Sequence, residues 1–300
     1  MKNEVTKVLF IVNRYSGKGY QPGVEGRIVD ICGRHDAECT IEFTQGRGHA
    51  TELAAEAASS RRFDRVVAVG GDGTMNEVAR GLLHSQMTMG IVPRGSGNGL
   101  ARHLGIPMDT PSAVESLFNS HVVAIDTFQV NGKLSLNVSG IGFDGHIANL
   151  FGKEKKRGFQ GYAKHVVKQF LGFREFEAEI STDSVRFKKK AFVIAIANSS
   201  QYGNNARIAP GASVCDELLH ISFLRKVPLY RLDFVYSFFR GNIGRSAFCN
   251  LIETKNMEVK VAAPIAYHID GEPCGHDILF KIQLVPASLR MLVPKHTLRP

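Results

Sequence analysis

The stretch Gly70-Gly71-Asp72-Gly73-Thr74-Met75-Asn76-Glu77-Val78 constrains this chain more than any other. It follows an apolar run, Arg65 to Val69, that reads as a buried strand, and it leads into a helix expected over Asn76 to Gln86. Glycines at a strand-to-helix turn let the backbone come close to a ligand, and a helix N-terminus offers N–H groups to an anion. Asp72 and Glu77 add carboxylates where a phosphate and Mg2+ would meet. A lone Gly-Gly-X-Gly serves equally as an ordinary turn. The whole string, set directly behind a strand, reads as the seat of a nucleotide phosphate.

The surrounding pattern supports an α/β class. Val8 to Val12, Cys39 to Phe43, Arg65 to Val69 and Thr88 to Val92 read as strands, and Val24 to Gly33 and Thr51 to Ser60 as helices between them. This alternation predicts an N-terminal open α/β nucleotide-binding domain over 1–125, with ligands at the carboxyl ends of its strands. From about Val122 short strands dominate: Leu134 to Val138, Phe176 to Ser181, Ala191 to Ala197, Leu219 to Leu224, Met257 to Val261 and Ile278 to Val285. They predict a C-terminal β-rich, antiparallel sandwich-like domain over 126–300. Its apolar end, Leu289 to Pro294, is a candidate to return to the first domain. One amphipathic helix is expected within this half, through Phe159, Tyr162, Ala163, Val166, Val167, Phe170 and Leu171, behind the basic Lys153, Lys155, Lys156 and Arg157. It packs on a core or faces a lipid, and the aromatic segment Leu229 to Phe239 has the same two readings. Lys188-Lys189-Lys190 reads as a solvated turn.

Charge narrows the partners. With 37 basic and 28 acidic residues the formal charge is +9, which favours an anionic nucleotide or lipid surface. The basic residues are dispersed and no nucleic-acid motif is present, so nucleic acid is not expected. Cys32, Cys39, Cys215, Cys249 and Cys274 form no Cys-x-x-Cys pair, and they read as reduced thiols of a cytoplasmic protein. No secretory leader is expected at Met1-Lys2-Asn3-Glu4, and no apolar run approaches the ~18 residues of a membrane span.

Four further stretches carry chemistry. Asn13-Arg14-Tyr15-Ser16-Gly17-Lys18-Gly19 follows the first strand; it lacks the P-loop spacing but can cup phosphate through Ser16 and backbone amides. Thr44 supplies a hydroxyl at the end of the second strand, and His49 reads equally as a helix-entry group. Gly95-Ser96-Gly97-Asn98 is a second glycine turn, and two such turns behind successive strands point at one crevice. In His268-Ile269-Asp270-Gly271-Glu272, Asp270 can take a proton from a hydroxyl, and Glu272 can orient the substrate or help hold Mg2+. Taken alone, the same residues make an ordinary Asp-Gly hairpin.

Together these residues resemble the diacylglycerol kinase catalytic family, in its bacterial lipid-kinase branch, with the sphingosine kinases close behind. Gly70 to Thr74 with Asn76 and Glu77 is similar to the family's nucleotide signature. Gly95 to Asn98 resembles its second phosphate loop, with Ser96 where Thr is usual. Asp270-Gly271-Glu272 resembles the family's Asp-Gly-Glu, whose Asp is a proposed general base. The resemblance implies ATP-dependent transfer of the γ-phosphoryl group to a lipid hydroxyl, with ATP and Mg2+ as cofactors. It implies nucleotide contacts from Asn13, Ser16, Gly17, Thr44, Gly70, Gly71, Asp72, Gly73, Thr74, Asn76, Glu77, Gly95, Ser96, Gly97 and Asn98. It also implies a structural Mg2+ at Asp216, Leu218 and Ser213, although Glu217 stands for a usual Gly and His220 for a usual Asp. In the sphingosine-kinase branch the Asp of the Gly-Asp-Gly string contacts the acceptor hydroxyl, so Asp72 and Asp270 are both candidates for the base. The implied protein is cytoplasmic and peripheral at an anionic membrane, where its lipid substrate lies, with a homodimer as a candidate assembly. The rival readings are an NAD kinase, which shares Gly-Gly-Asp-Gly-Thr, and a non-catalytic lipid or nucleotide sensor.

Overall fold

The computed structural model describes residues 5–17, 23–151, 159–228, 230–295 and 297. Lys18, Gly19, Leu229 and the basic run Lys153 to Arg157 lie outside them, as do the side chains of Phe159, Tyr162 and Ala163. The chain forms two compact units, one made of residues up to Thr127 and from Pro286 onward, the other of Phe128–Val285.

The first unit alternates strand and helix: β1 (Thr6–Val12), α1 (Val24–Arg34), β2 (Ala37–Phe43), α2 (His49–Ser60), β3 (Arg65–Gly70), α3 (Asp72–Leu82), β4 (Thr88–Pro93), α4 (Gly99–His103) and α5 (Thr110–Phe118), after which β5 (Ser120–Val130) leads out. β1 lies between β2 and β3, with β4 beyond β3, all parallel. Val8–Val12, Val66–Val69 and Met89–Val92 are buried, the continuous apolar runs that parallel strands need when helices cover both faces. The register sets Val12 opposite both Phe43 and Val69, and Gly70 opposite Pro93. All four following loops therefore leave from one edge.

One expected boundary changes here. The helix after β3 starts at Asp72, not Asn76, and ends at Leu82. Gly71 is its extended N-cap, and burial of Met75, Val78, Ala79 and Leu82 outweighs the roughly 1 kcal/mol that a helical glycine costs.

The second unit contains the end of β5, then β6 (Lys133–Ser135), β7 (Val138–Gly142), α6 (Phe143–Phe151), α7 (Phe159–Gly172), β8 (Phe176–Thr182), β9 (Arg186–Ala191), β10 (Val193–Ala197), β11 (Leu219–Leu224), α8 (Leu232–Arg240), β12 (Cys249–Thr254), β13 (Asn256–Ile269) and β14 (Glu272–Pro294). Antiparallel pairing runs β12-β11-β10-β7-β13. β13 serves two groups of strands. Met257–Val261 pair with β8, while Tyr267 and His268 pair with β7, and a register shift between Lys260 and Ile265 marks the change. One core gathers Phe128, Phe223, Tyr267 and Phe280. A second gathers Phe192 and Ile208, with Phe143, Phe170, Phe173, Phe234 and Phe238 of the helices and the α7–β8 turn packed on it.

Four readings of this half are corrected. Three α-helices, α6, α7 and α8, occur among the described residues, not one. The strand expected over Leu134 to Val138 breaks into β6 and β7, because the backbone N–H groups of Leu136 and Asn137 turn to the carboxylate of Asp270. β13 and β14 are far longer than the runs read from sequence. Lys188-Lys189-Lys190 lies on β9, which among the described residues pairs with β8 alone; lysines on such an edge discourage further pairing, and Lys188 meets Glu179 at 2.9 Å. β14 continues past Val285 into the first unit, where Arg290 and Met291 pair parallel with Thr88 and Met89.

Two glycines separate helix propensity from packing. A Cβ on Gly81 of α3 would lie 2.5 Å from the Thr51 carbonyl oxygen and 2.7 Å from the Ala54 Cβ of α2, whereas one on Gly26 of α1 meets nothing within 4 Å. Gly26→Ala is expected to stabilise by about 0.5–1 kcal/mol. Gly81→Ala, despite the same propensity gain, is expected to destabilise by about 1–3 kcal/mol through overpacking. Urea unfolding midpoints of the two variants check the opposite signs.

Candidate active site

In the first unit, the loops after β3 and β4 are tied together by a side chain that accepts from backbone. Asp72 sits in the first turn of α3. Its Oδ2 accepts the Asn98 N–H at 2.9 Å and its Oδ1 the Gly99 N–H at 3.0 Å. Asn98, in the left-handed region at φ 50°, folds its amide back on Gly95, accepting its N–H at 2.9 Å and donating to its carbonyl at 2.8 Å. Arg94 N–H donates to the Gly70 carbonyl at 2.7 Å. The approach is close enough to require glycine: a Cβ on Gly95 would stand 2.7 Å from the Gly71 Cα, and one on Gly17 2.0 Å from the Arg94 carbonyl oxygen.

The rest of the cluster braces these loops. Asn13 donates to the Thr74 hydroxyl at 3.0 Å, and Ser16 donates its hydroxyl to the Asn13 carbonyl at 2.9 Å. Glu77 accepts the Gly48 N–H at 3.0 Å, and its carbonyl accepts the Thr51 hydroxyl at 2.8 Å. Asn76 accepts from Arg80, Arg102 donates to the Gly97 carbonyl, and Thr44 N–H donates to the Val12 carbonyl. Ser96 is exposed, and Gly73 lies in the first turn of α3, where helical N–H groups have no intrahelical acceptor. His49 accepts the Gln45 N–H at 3.1 Å, the helix-entry role. Close glycine backbone beside a helix N-terminus suits a phosphate. Both oxygens of Asp72 thus accept backbone N–H groups of the second glycine loop and its following helix.

In the second unit, Asp270 and Gly271 join β13 to β14 with φ of 49° and 85°, the pair of left-handed residues that a tight hairpin takes. Unlike an ordinary hairpin turn, this one buries its aspartate. Asp270 Oδ1 accepts the Ser135 hydroxyl at 2.7 Å and the Asn137 N–H at 2.9 Å, and Oδ2 accepts the Leu136 N–H at 2.9 Å. Around these donors lies a buried polar cluster: Ser139 donates to Ser135, Asn198 to the Leu136 carbonyl and Ser199 to Asn137. Glu272 is exposed at the start of β14. Sequence reading missed Ser135, Asn137, Ser139, Asn198 and Ser199. The signal available was the polar residue at every second position, Ser135, Asn137 and Ser139, in an otherwise apolar stretch.

The residues expected to hold a structural Mg2+, Ser213, Asp216 and Leu218, lie in the segment just before β11. Asp216 Oδ1 accepts the Leu218 N–H at 3.1 Å, and its Oδ2 lies 3.3 Å from His220 Nε2. The other ring nitrogen of His220 lies 3.5 Å from Glu253. Ser213 accepts the Cys215 N–H, and Glu217, at φ 57°, pairs with Lys255 at 2.7 Å. The His220 imidazole thus lies between the two carboxylates. Among the described residues no group of three His, Cys, Asp or Glu is placed to hold a metal ion.

The first unit is thus a parallel α/β sheet with glycine loops suited to phosphate, and the second an antiparallel sheet with a buried carboxylate turn. The model of the diacylglycerol kinase catalytic domain matches residues 7–130, and that of the YegS C-terminal NAD kinase beta sandwich-like domain matches residues 137–293. The chain belongs to the diacylglycerol kinase catalytic family, among the YegS-like lipid kinases. It is 28% identical over 293 residues to a Klebsiella pneumoniae (strain 342) protein described as "Probable lipid kinase YegS-like", covering 95% of both chains. It is 30% identical to the diacylglycerol kinase of Bacillus subtilis (strain 168), covering 79% of this chain and 80% of that one. A crystal structure of a diacylglycerol kinase from Bacillus anthracis str. Sterne superposes with a TM-score of 0.76 at 22% identity, over 99% of this chain and 100% of that one, a likeness of fold.

Asp72→Asn sets an amide N–H2 against a backbone N–H and unties the second glycine loop. It is expected to cost about 1–3 kcal/mol, the range for stranding a buried hydrogen-bonding group, and to weaken nucleotide binding. Urea unfolding and nucleotide titration check both; an unchanged midpoint would remove the tie.

Proposed function

We propose that this protein transfers the γ-phosphoryl group of ATP to the hydroxyl of a lipid, of diacylglycerol or sphingoid-base type. The observation that carries the donor half is the contact of Gly71 with Gly95 under the Asp72 tie, which leaves bare backbone beside the start of α3. The acceptor class comes from the names of the relatives. Phosphoryl transfer asks for positioning and charge neutralisation more than for covalent help. The glycine loops would seat the triphosphate, and Mg2+, when bound, neutralises charge on its oxygens.

Asp270 takes the role of general base, accepting the proton of the lipid hydroxyl. A carboxylate and a polar cluster buried in an otherwise apolar β unit cost stability, and such groups are retained where chemistry uses them. Asp72 acts by holding the nucleotide loops.

The reading includes work at the cytoplasmic side of an anionic membrane. Val167 and Leu171 of α7, and Tyr230, Tyr236 and Phe239 in and beside α8, are exposed large apolar residues, with Arg231 and Arg240 among them on a chain of charge +9. Among the described residues no helix is long and apolar enough to cross a membrane.

Incubation with γ-labelled ATP and a total lipid extract is expected to yield labelled lipid. Asp270→Asn is expected to lower that rate by about 10²–10⁴-fold, the usual worth of a general base, with nucleotide affinity retained. Labelling equal to wild type would remove Asp270 as the base. No labelled lipid with wild type, or label on NAD instead, would overturn the lipid-kinase reading.

A further inference from the structure

We propose that His268, backed by Asp144 and Tyr202, is a positioning residue that sets the backbone of the Asp270-Gly271 turn. The inference rests on the reading of Asp270 as the base. His268 is 4% exposed, two residues before Asp270 on β13. Its Nδ1 lies 3.1 Å from the Gly271 backbone nitrogen and its Nε2 3.2 Å from Asp144 Oδ2. A backbone N–H can only donate, so Nδ1 carries the lone pair and the ring hydrogen sits on Nε2, aimed at the carboxylate. Both nitrogens are then engaged, and the ring is not itself a base.

Asp144 is held in turn. Its Oδ2 accepts the Tyr202 hydroxyl at 2.9 Å, and its Oδ1 accepts the Gly145 N–H at 2.7 Å. Burial, with the negative Asp144 beside it, pushes the Tyr202 phenol well above its ordinary value, so it stays a donor. Space for the pair comes from Gly140, which faces His268 on β7; a Cβ there would stand 1.8 Å from Asp144 Oδ2 and 2.7 Å from His268 Nε2. The helix that carries Asp144 also grips the hairpin on both strands. Asn149 donates to the Tyr267 carbonyl at 3.0 Å and accepts the Gly275 N–H at 2.9 Å.

Asp270, a residue with a Cβ, is in the left-handed region, which Asp enters more readily than most residues but less readily than Gly. Ser135, Leu136 and Asn137 restrain only its side chain. The Gly271 N–H bond to His268 restrains the backbone, and so fixes where the carboxylate points.

The test uses isosteres and a double-mutant cycle. In His268→Asn the amide oxygen can stand near Nδ1 and still accept from Gly271, while His268→Gln places its polar end near Nε2 and loses that acceptor. His268→Gln is expected to lower kcat by about 10–100-fold, the cost of an ångström-scale misplacement, with KM for ATP unchanged, and His268→Asn to recover most of it. In the Asp270→Asn background His268→Gln is expected to cost nothing further, since coupling through one group is non-additive. Hydrogen–deuterium exchange at Gly271 is expected to quicken in the Gln variant and not in the Asn variant. An equal loss of rate in both backgrounds, or unchanged exchange at Gly271, overturns the proposal. If the wild type labels no lipid, the kinase reading fails on its own, and Gly271 exchange still decides whether His268 holds the turn.

Discussion

A carboxylate drawn wholly or partly out of water must be given donors, and in each unit of this chain they include backbone N–H groups from a distant segment. Asp72 receives those of Asn98 and Gly99, and Asp270 those of Leu136 and Asn137. Each acid thereby fixes a stretch of chain that has no regular structure to fix it. Removing either would leave stranded N–H groups as well as a lost charge. Much of the candidate chemistry is therefore built from loops ordered by two aspartates.

The first unit adds a geometric constraint. Parallel strands send every following loop to the same edge, so the glycine turns have to share space. The result is contact at backbone distance between Gly71 and Gly95, which no side chain would allow. In the second unit the equivalent concession is Gly140, which makes room for an acid and an imidazole beside the hairpin.

What could be read from the sequence was periodic or local. Apolar runs located β1, β3 and β4, and the glycine strings located the phosphate loops, because strand burial and turn geometry are written in neighbouring residues. Long-range pairing was not written that way. The partners of Asp270 lie 133–135 positions before it, and their alternating polar pattern does not say which carboxylate they serve. His268 looked like a flank to an Asp-Gly turn until Asp144, 124 positions earlier, was placed against it. His220 resembled a substitution in a metal loop, and its bridge from Asp216 to Glu253 depends on the pairing of β11 with β12. The start of α3 was misjudged because glycines argue locally against a helix that tertiary burial supports.

The passage of β14 from one unit into the other has a consequence for biosynthesis. β4 has β3 on one side and, among the described residues, the stretch near Arg290 and Met291 on the other. Nascent domains commonly finish in the order in which they leave the ribosome. Here the first unit to emerge must wait with an apolar strand edge unpaired while the whole of the second is made. That interval exposes the chain to edge-to-edge association, and it makes the closing strand a checkpoint on completeness, since a product truncated before it lacks part of its N-terminal sheet.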